Sequence, residues 1–177
     1  MKFRSQKILG VILVLGLGAT ETMAGAKLDD ATILAIFDQA NMADITTGRL
    51  GLKKARSEEV KTLARMVVTD HEHVQHLGRE VAHELGVVPL PPDNDKSVEN
   101  QAKALALLES KSGAEFDKAY LLHEIAFHQS VIDAIQGSLL PAAKDARLKA
   151  LIEKVLPGFQ HHLTATMAAA KKLGYSD

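Results

Sequence analysis

The chain contains no cysteine and no tryptophan, and aromatic residues make up only 4% of its 177 positions. Without a thiol there is no disulfide, no lipid anchor on cysteine and no cysteine nucleophile. With two tyrosines and a formal charge of −1, the chain lacks both the stacking surface and the basic footprint of a nucleic-acid binder. No serine stands in a Gly-x-Ser-x-Gly elbow. Nor does any apolar run approach the about 20 residues that a membrane span needs. No feature of the chain names a protein partner.

The longest apolar run, Ile8 to Ala19, follows Lys2, Arg4 and Lys7 and precedes small residues around Ala24 and Ala26. This is the pattern of a secretory signal peptide, residues 1–26. Cleavage there removes three basic side chains and Glu21, which moves the formal charge from −1 to −3. The expected product is a single domain, residues 27–177, exported to the periplasm or secreted, with no membrane span left. A chain of that length buries about two-thirds of its unfolded surface in one core without covalent staples.

What the rest of the chain has in abundance is helical periodicity. The first helix, from Asp30 to about Ala55, carries Ile33, Phe37, Ala40, Ile45, Gly48 and Leu52 on one stripe. The second opens with Ser57 as N-cap and Glu58 and Glu59 in its first turn, and stops at Gly86. A segment rich in Pro, Asp and Asn from Val87 to Ser97, then a short helix near Glu99–Glu109, leads to a third helix from about Ala114 to Gln136. Its stripe reads Leu121, Ile125, His128, Ile132 and Ile135. The fourth runs from about Asp145 to Leu173 with Pro157 inside, which predicts a kink just before His162. Two short connections and one long one predict an all-α, ferritin-like four-helix bundle whose crossover, containing the short helix, links helices two and three.

Four positions break the apolar pattern. His71, His128 and His162 occupy core slots in helices two, three and four, and Asp44 takes the matching slot in helix one. Buried polar groups cost a few kcal/mol unless they have partners. With the crossover, all four fall 11 to 14 residues below one end of the bundle, a spread of about 4 to 5 Å at about 1.5 Å per residue. Neutral imidazoles and a carboxylate at one level suit zinc, iron, copper or manganese. Glu124 and Asn41, each one turn from one of these residues, would add a ligand or orient one, and Tyr120 and Asp117 continue the polar strip of helix three. A closed hydrogen-bond network without metal is the competing account of the same four residues.

The other histidines lie off these stripes. His73, His76 and His83 should face solvent, as should His123 and His161, although the Asp70/His73 and Glu80/His83 pairs have the spacing to clip a surface ion. Di-iron bundles need two Glu-x-x-His motifs, and only Glu80-x-x-His83 fits, far from the proposed layer. Ferroxidase chemistry is therefore not expected. The leading expectation is an exported carrier or buffer of a metal ion. The alternative is a metal-free envelope stress or interaction module whose buried cluster is structural. A metal-dependent oxidoreductase ranks third, because nothing identifies a substrate channel.

The stretches Met66–Leu77 (MVVTDHEHVQHL), Glu115–His128 (EFDKAYLLHEIAFH) and Leu156–Leu163 (LPGFQHHL) resemble the exported bacterial family catalogued as domain of unknown function 4142. The likeness spans about Asp30 to Leu173. It rests on Asp70-His71, on Phe116-Asp117, Tyr120 and His128, and on Leu156-Pro157 with His162-Leu163. In helix one the family pattern favours Glu where this chain has Asp44. The resemblance implies a ferritin-like bundle and export, and it implies no activity.

Overall fold

The computed structural model describes residues 28–175, so the leader reading of residues 1–26 lies outside the described residues. Four long helices carry the fold: α1 (Asp30–Lys54), α2 (Glu58–Leu85), α4 (Gly113–Ala134) and α6 (Ala146–Lys172). Local chemistry sets their ends. Asp29 accepts the Thr32 N–H at 3.0 Å to start α1, Ser57 accepts the Val60 N–H at 3.2 Å to start α2, and Asp145 accepts the Arg147 N–H at 2.8 Å to start α6. Helix α2 stops at Gly86, whose φ of 66° is left-handed and so suits glycine.

The long connection holds α3 (Ser97–Glu109) and lies along α1. Gln39 donates to Asp95 at 2.8 Å and Gln101 donates to the Ala43 carbonyl at 2.9 Å. Two carboxylates then fix the direction of every long helix. Asp117, near the start of α4, accepts the N–H groups of Arg56 and Ser57 at 2.9 and 2.8 Å. Asp30, at the start of α1, accepts those of Lys144 and Asp145 at 2.7 and 3.0 Å, just before α6. Helices α2 and α4 therefore begin at the same end and run parallel. This is the ferritin-like connectivity expected from the sequence.

The third long helix differs from expectation at its end. It gives way at Ile135–Leu139 to a π turn, followed by the short α5 (Leu140–Ala142). The Leu140 N–H reaches back to the Ile135 carbonyl. Pro141 offers no N–H to continue an α ladder, which accounts for a widened turn at this place. Pro157 lies inside α6, which runs as a single helix from Ala146 to Lys172.

The core has an apolar, a polar and an apolar zone. Ile33, Phe37, Phe127, Ile152 and Phe159 belong to one buried cluster, and Val60, Ala64, Phe116, Tyr120 and Leu121 to another. Close contact of α1 with the second cluster depends on Gly51, where an added Cβ would stand 2.8 Å from Tyr120 Cε2 and 3.0 Å from Ala64 Cβ. A buried tyrosine ring cannot swing aside cheaply. Gly51→Ala should therefore lower stability by about 1–3 kcal/mol in denaturant unfolding, in spite of alanine's better helix propensity. Equal or higher stability would show that the ring has room to move.

Candidate metal centre

Between the two apolar clusters lie Asp44, His71, His128 and His162, one from each long helix and each at most 3% exposed. Their inward atoms form a ring. His71 Nε2 stands 3.2 Å from His162 Nδ1, which stands 3.3 Å from His128 Nε2. Asp44 Oδ2 closes the ring, 3.3 Å from His128 Nε2 and 2.8 Å from His71 Nε2. The edge of the Phe159 ring system packs against this layer, with its centroid 5.0 Å from that of His71.

The outward nitrogens decide where the protons are. His71 Nδ1 donates to Asn41 Oδ1 at 2.8 Å, and that amide is oriented by its own Nδ2, which donates to the Phe37 carbonyl at 2.7 Å. His128 Nδ1 faces the Glu124 main-chain carbonyl at 2.9 Å, an atom that can only accept. His162 Nε2 meets Asp70 Oδ2 at 2.9 Å, and an ionised carboxylate likewise only accepts. In its neutral form each imidazole therefore turns a bare lone pair to the centre. The short inward separations are then contacts between acceptors, and the Asp44 oxygens gain a donor only where an imidazole carries a second proton, as His71 Nε2 at 2.8 Å could. Three lone pairs and a carboxylate that converge in a buried layer are a donor set that could hold a cation.

The electrostatics run the same way. Burial works to raise the Asp44 carboxyl, but His71 and His128 beside it outweigh that and hold it well below the usual range. Burial pushes His128 down, against the pull of Asp44. Burial also carries His162 down to about 4, with the Asp70 hydrogen bond opposing and the two neighbouring imidazoles reinforcing.

The accessory residues divide. Asn41 and Glu124 touch the ring residues, Asn41 through its amide and Glu124 through its backbone carbonyl. Tyr120 and the Glu124 side chain are buried beside Asp44. Asp117 does not join the centre: both its oxygens are taken up by the turn between α1 and α2, 11 residues along α4 from His128. The α4 stripe is also rotated from the expected one, since Glu124 is 1% exposed while Ile125 is only half-buried.

Asp70 is the residue that sequence reasoning placed elsewhere. It pairs with His162 across the helix interface instead of with His73 on its own helix, and its position directly before His71 was the available signal. His73, His76, His83 and His161 are exposed as expected, but His123 is half-buried and its imidazole is pushed down by burial. Glu80 meets His76 at 3.2 Å, not His83. Among the described residues, His71, His128 and His162 form one group whose ligand atoms converge, and Asp44, Glu124 and His128 form the other.

No helix among the described residues is long and apolar enough to cross a membrane. No curated protein matches the chain. A solved structure, CopM in the Cu(II)-bound form, is similar to it with a TM-score of 0.63, covering 81% of this chain and 98% of that one. The two are 16% identical, so the likeness is one of fold. The family model described as "Domain of unknown function (DUF4142)" matches residues 17–169, and the chain belongs to that family.

Proposed function

We propose that the protein binds one transition-metal ion through His71 Nε2, His128 Nε2, His162 Nδ1 and an oxygen of Asp44, and that it serves as an exported carrier or buffer of that ion. The observation that carries this reading is the proton arrangement. Asn41, the Glu124 carbonyl and Asp70 fix all three imidazoles with their lone pairs inward. A metal-free network would need one imidazole to carry a second proton, most directly His71 Nε2 toward Asp44 Oδ2 at 2.8 Å, and a cation in the ring would take the place of that proton. Export rests on the leader pattern of residues 1–26, and the one domain is the remainder of the chain.

The ring distances suit two coordination geometries. Ligand atoms at about 2.0–2.1 Å from a metal stand about 3.3 Å apart in a tetrahedron and about 2.9 Å apart in a square plane. The observed edges of 2.8–3.3 Å fall across both. Zinc suits the first geometry and Cu(II) the second. Copper is the first ion to test, because CopM, of similar fold, is described in a Cu(II)-bound form. With four protein ligands held between two apolar clusters, the centre suits holding an ion better than turning over a substrate.

Metal analysis of untagged protein after reconstitution is the test. About one equivalent of copper or zinc per chain, with a higher melting temperature, is expected. Less than about 0.1 equivalent with no thermal gain would refute the reading. Asp70→Ala should weaken the site by about 10- to 100-fold, the usual cost of removing an orienting partner from a metal-bound imidazole. A competition titration that found wild-type affinity would show that Asp70 does not orient His162.

A further inference from the structure

The proposed histidine site leaves a set of buried oxygens without partners. Asp44 Oδ1, both oxygens of Glu124 and the Tyr120 hydroxyl have no hydrogen-bond partner, and these residues are 0%, 1% and 0% exposed. Among the described residues the only other such buried side-chain atom outside Asp44 is Gln101 Oε1, so the deficit is concentrated at one place. Unsatisfied groups at this depth are rare in native proteins and call for a water, a proton or an ion.

Within the set the Tyr120 O–H can donate to Glu124, and Glu124, pushed up by burial and by Asp44, can share a proton with Asp44; no neighbour outside the set adds a donor, so the choice lies between that proton and a cation. Thr47 lies beside Glu124, but its hydroxyl donates to the Ala43 and Asp44 carbonyls, each at 3.1 Å. His128 Nδ1 is 3.7 Å from Glu124 Oε2, and its proton goes to the Glu124 main-chain carbonyl at 2.9 Å instead. No lysine or arginine is among the buried side chains of the described residues. What remains is two carboxylates and a phenol facing one another, beside the histidine ring and sharing Asp44 with it.

The geometry points to a second cation site, held by Asp44 Oδ1, the Glu124 carboxylate and the Tyr120 hydroxyl, with Asp44 bridging it to the ion in the histidine ring. Its all-oxygen donor set suits a hard divalent ion such as Mn(II), where the histidine ring suits copper or zinc. A bridging carboxylate lets two ions approach to about 4 Å, the separation of two-metal centres. The inference shares Asp44 with the function proposed above, so the experiment has to let the two fail separately.

The probe is Mn(II), titrated into full-length protein already given one equivalent of Zn(II), with bound Mn(II) read from the loss of its free EPR signal and both metals counted after desalting. Wild type should hold one zinc and one manganese. Glu124→Gln, nearly the same shape, should keep its zinc and bind manganese at least tenfold more weakly, and Tyr120→Phe should weaken manganese several-fold. His162→Ala should lose zinc and retain manganese. Manganese bound equally by wild type and Glu124→Gln would overturn the second site, as would zinc binding with no manganese in wild type; the latter would mean that a shared proton satisfies these oxygens. Manganese binding that depends on Glu124, with no zinc bound, would support the second site and refute the histidine one.

Discussion

Replacing His128 with alanine should abolish stoichiometric metal binding, weakening affinity by more than about 100-fold, while His73→Ala should leave it unchanged. Loss of an orienting partner alone typically costs 10- to 100-fold, and loss of a ligand atom costs more. His128 contributes two edges of the ring, to His162 at 3.3 Å and to Asp44 at 3.3 Å, and the alanine variant would leave a gap that no neighbour can span. Its α4 neighbour Glu124 stands 3.7 Å from His128 Nδ1, the outward nitrogen of that ring. His73 is two residues from His71 on the same helix but exposed, so it controls for a generic loss of histidine. The measurement is a competition titration of each variant against a chelator of known affinity. Equal retention of metal by both variants would place the site elsewhere on the protein.

The four ring residues were legible because helical register is a strong signal and because each one interrupts an apolar stripe. Heights along the bundle could be counted once the crossover set the helix directions, and Asp117 and Asp30 show physically how those directions are enforced. The partners of the ring were less legible. Asp70 sits on the flank of α2, where only the position of α6 tells whether it faces water or His162; its carboxylate is 52% exposed even while it holds that imidazole. Glu124 and Ile125 are adjacent, and a rotation of one residue about α4 decides which is buried. The apolar pattern puts Ile125 on the stripe and Glu124 on nearly the same face, and the helix turns Glu124 fully inward and leaves Ile125 half-buried. Asp117 has the composition of a site residue and the job of a turn cap, a distinction that depends on which loop the crossover brings to it.

The roles of Asp70 and Asp117 depart from the sequence reading for one cause. Periodicity reports which face of a helix is buried, whereas the role of a polar side chain on that face depends on what the neighbouring helix presents. Asn41, Asp70 and the Glu124 carbonyl each act on an imidazole from a different helix or a different turn, and together they set all three tautomers. A layer that is dry above and below and has its protons held on the outside is costly to fold without an ion. Its stability should therefore answer to pH and to metal together.

Metal-free protein should lose up to about 3 kcal/mol of stability between pH 6.5 and pH 4, a fall of roughly 6–12 °C in melting temperature for a domain of this size. The source is His162, carried by burial from 6.5 to about 4 in the fold. Because the unfolded chain takes up this proton more readily than the folded one, acidification favours unfolding. The full contribution is present above pH 6.5, declines as pH falls through the interval, and is gone below about 4. His128, also pushed down by burial, adds to the slope with the same sign. The side chain of His162 is 4% exposed, so little solvent screening intervenes. Thermal melts of chelator-treated protein at half-unit pH steps measure this, and His162→Gln should flatten the curve. Saturating metal competes with protons for the same lone pairs, so the midpoint of acid destabilisation should move to lower pH and become dependent on metal concentration. A melting temperature that rose on acidification of the metal-free protein would mean that the ring takes up a proton in the fold and satisfies itself without metal.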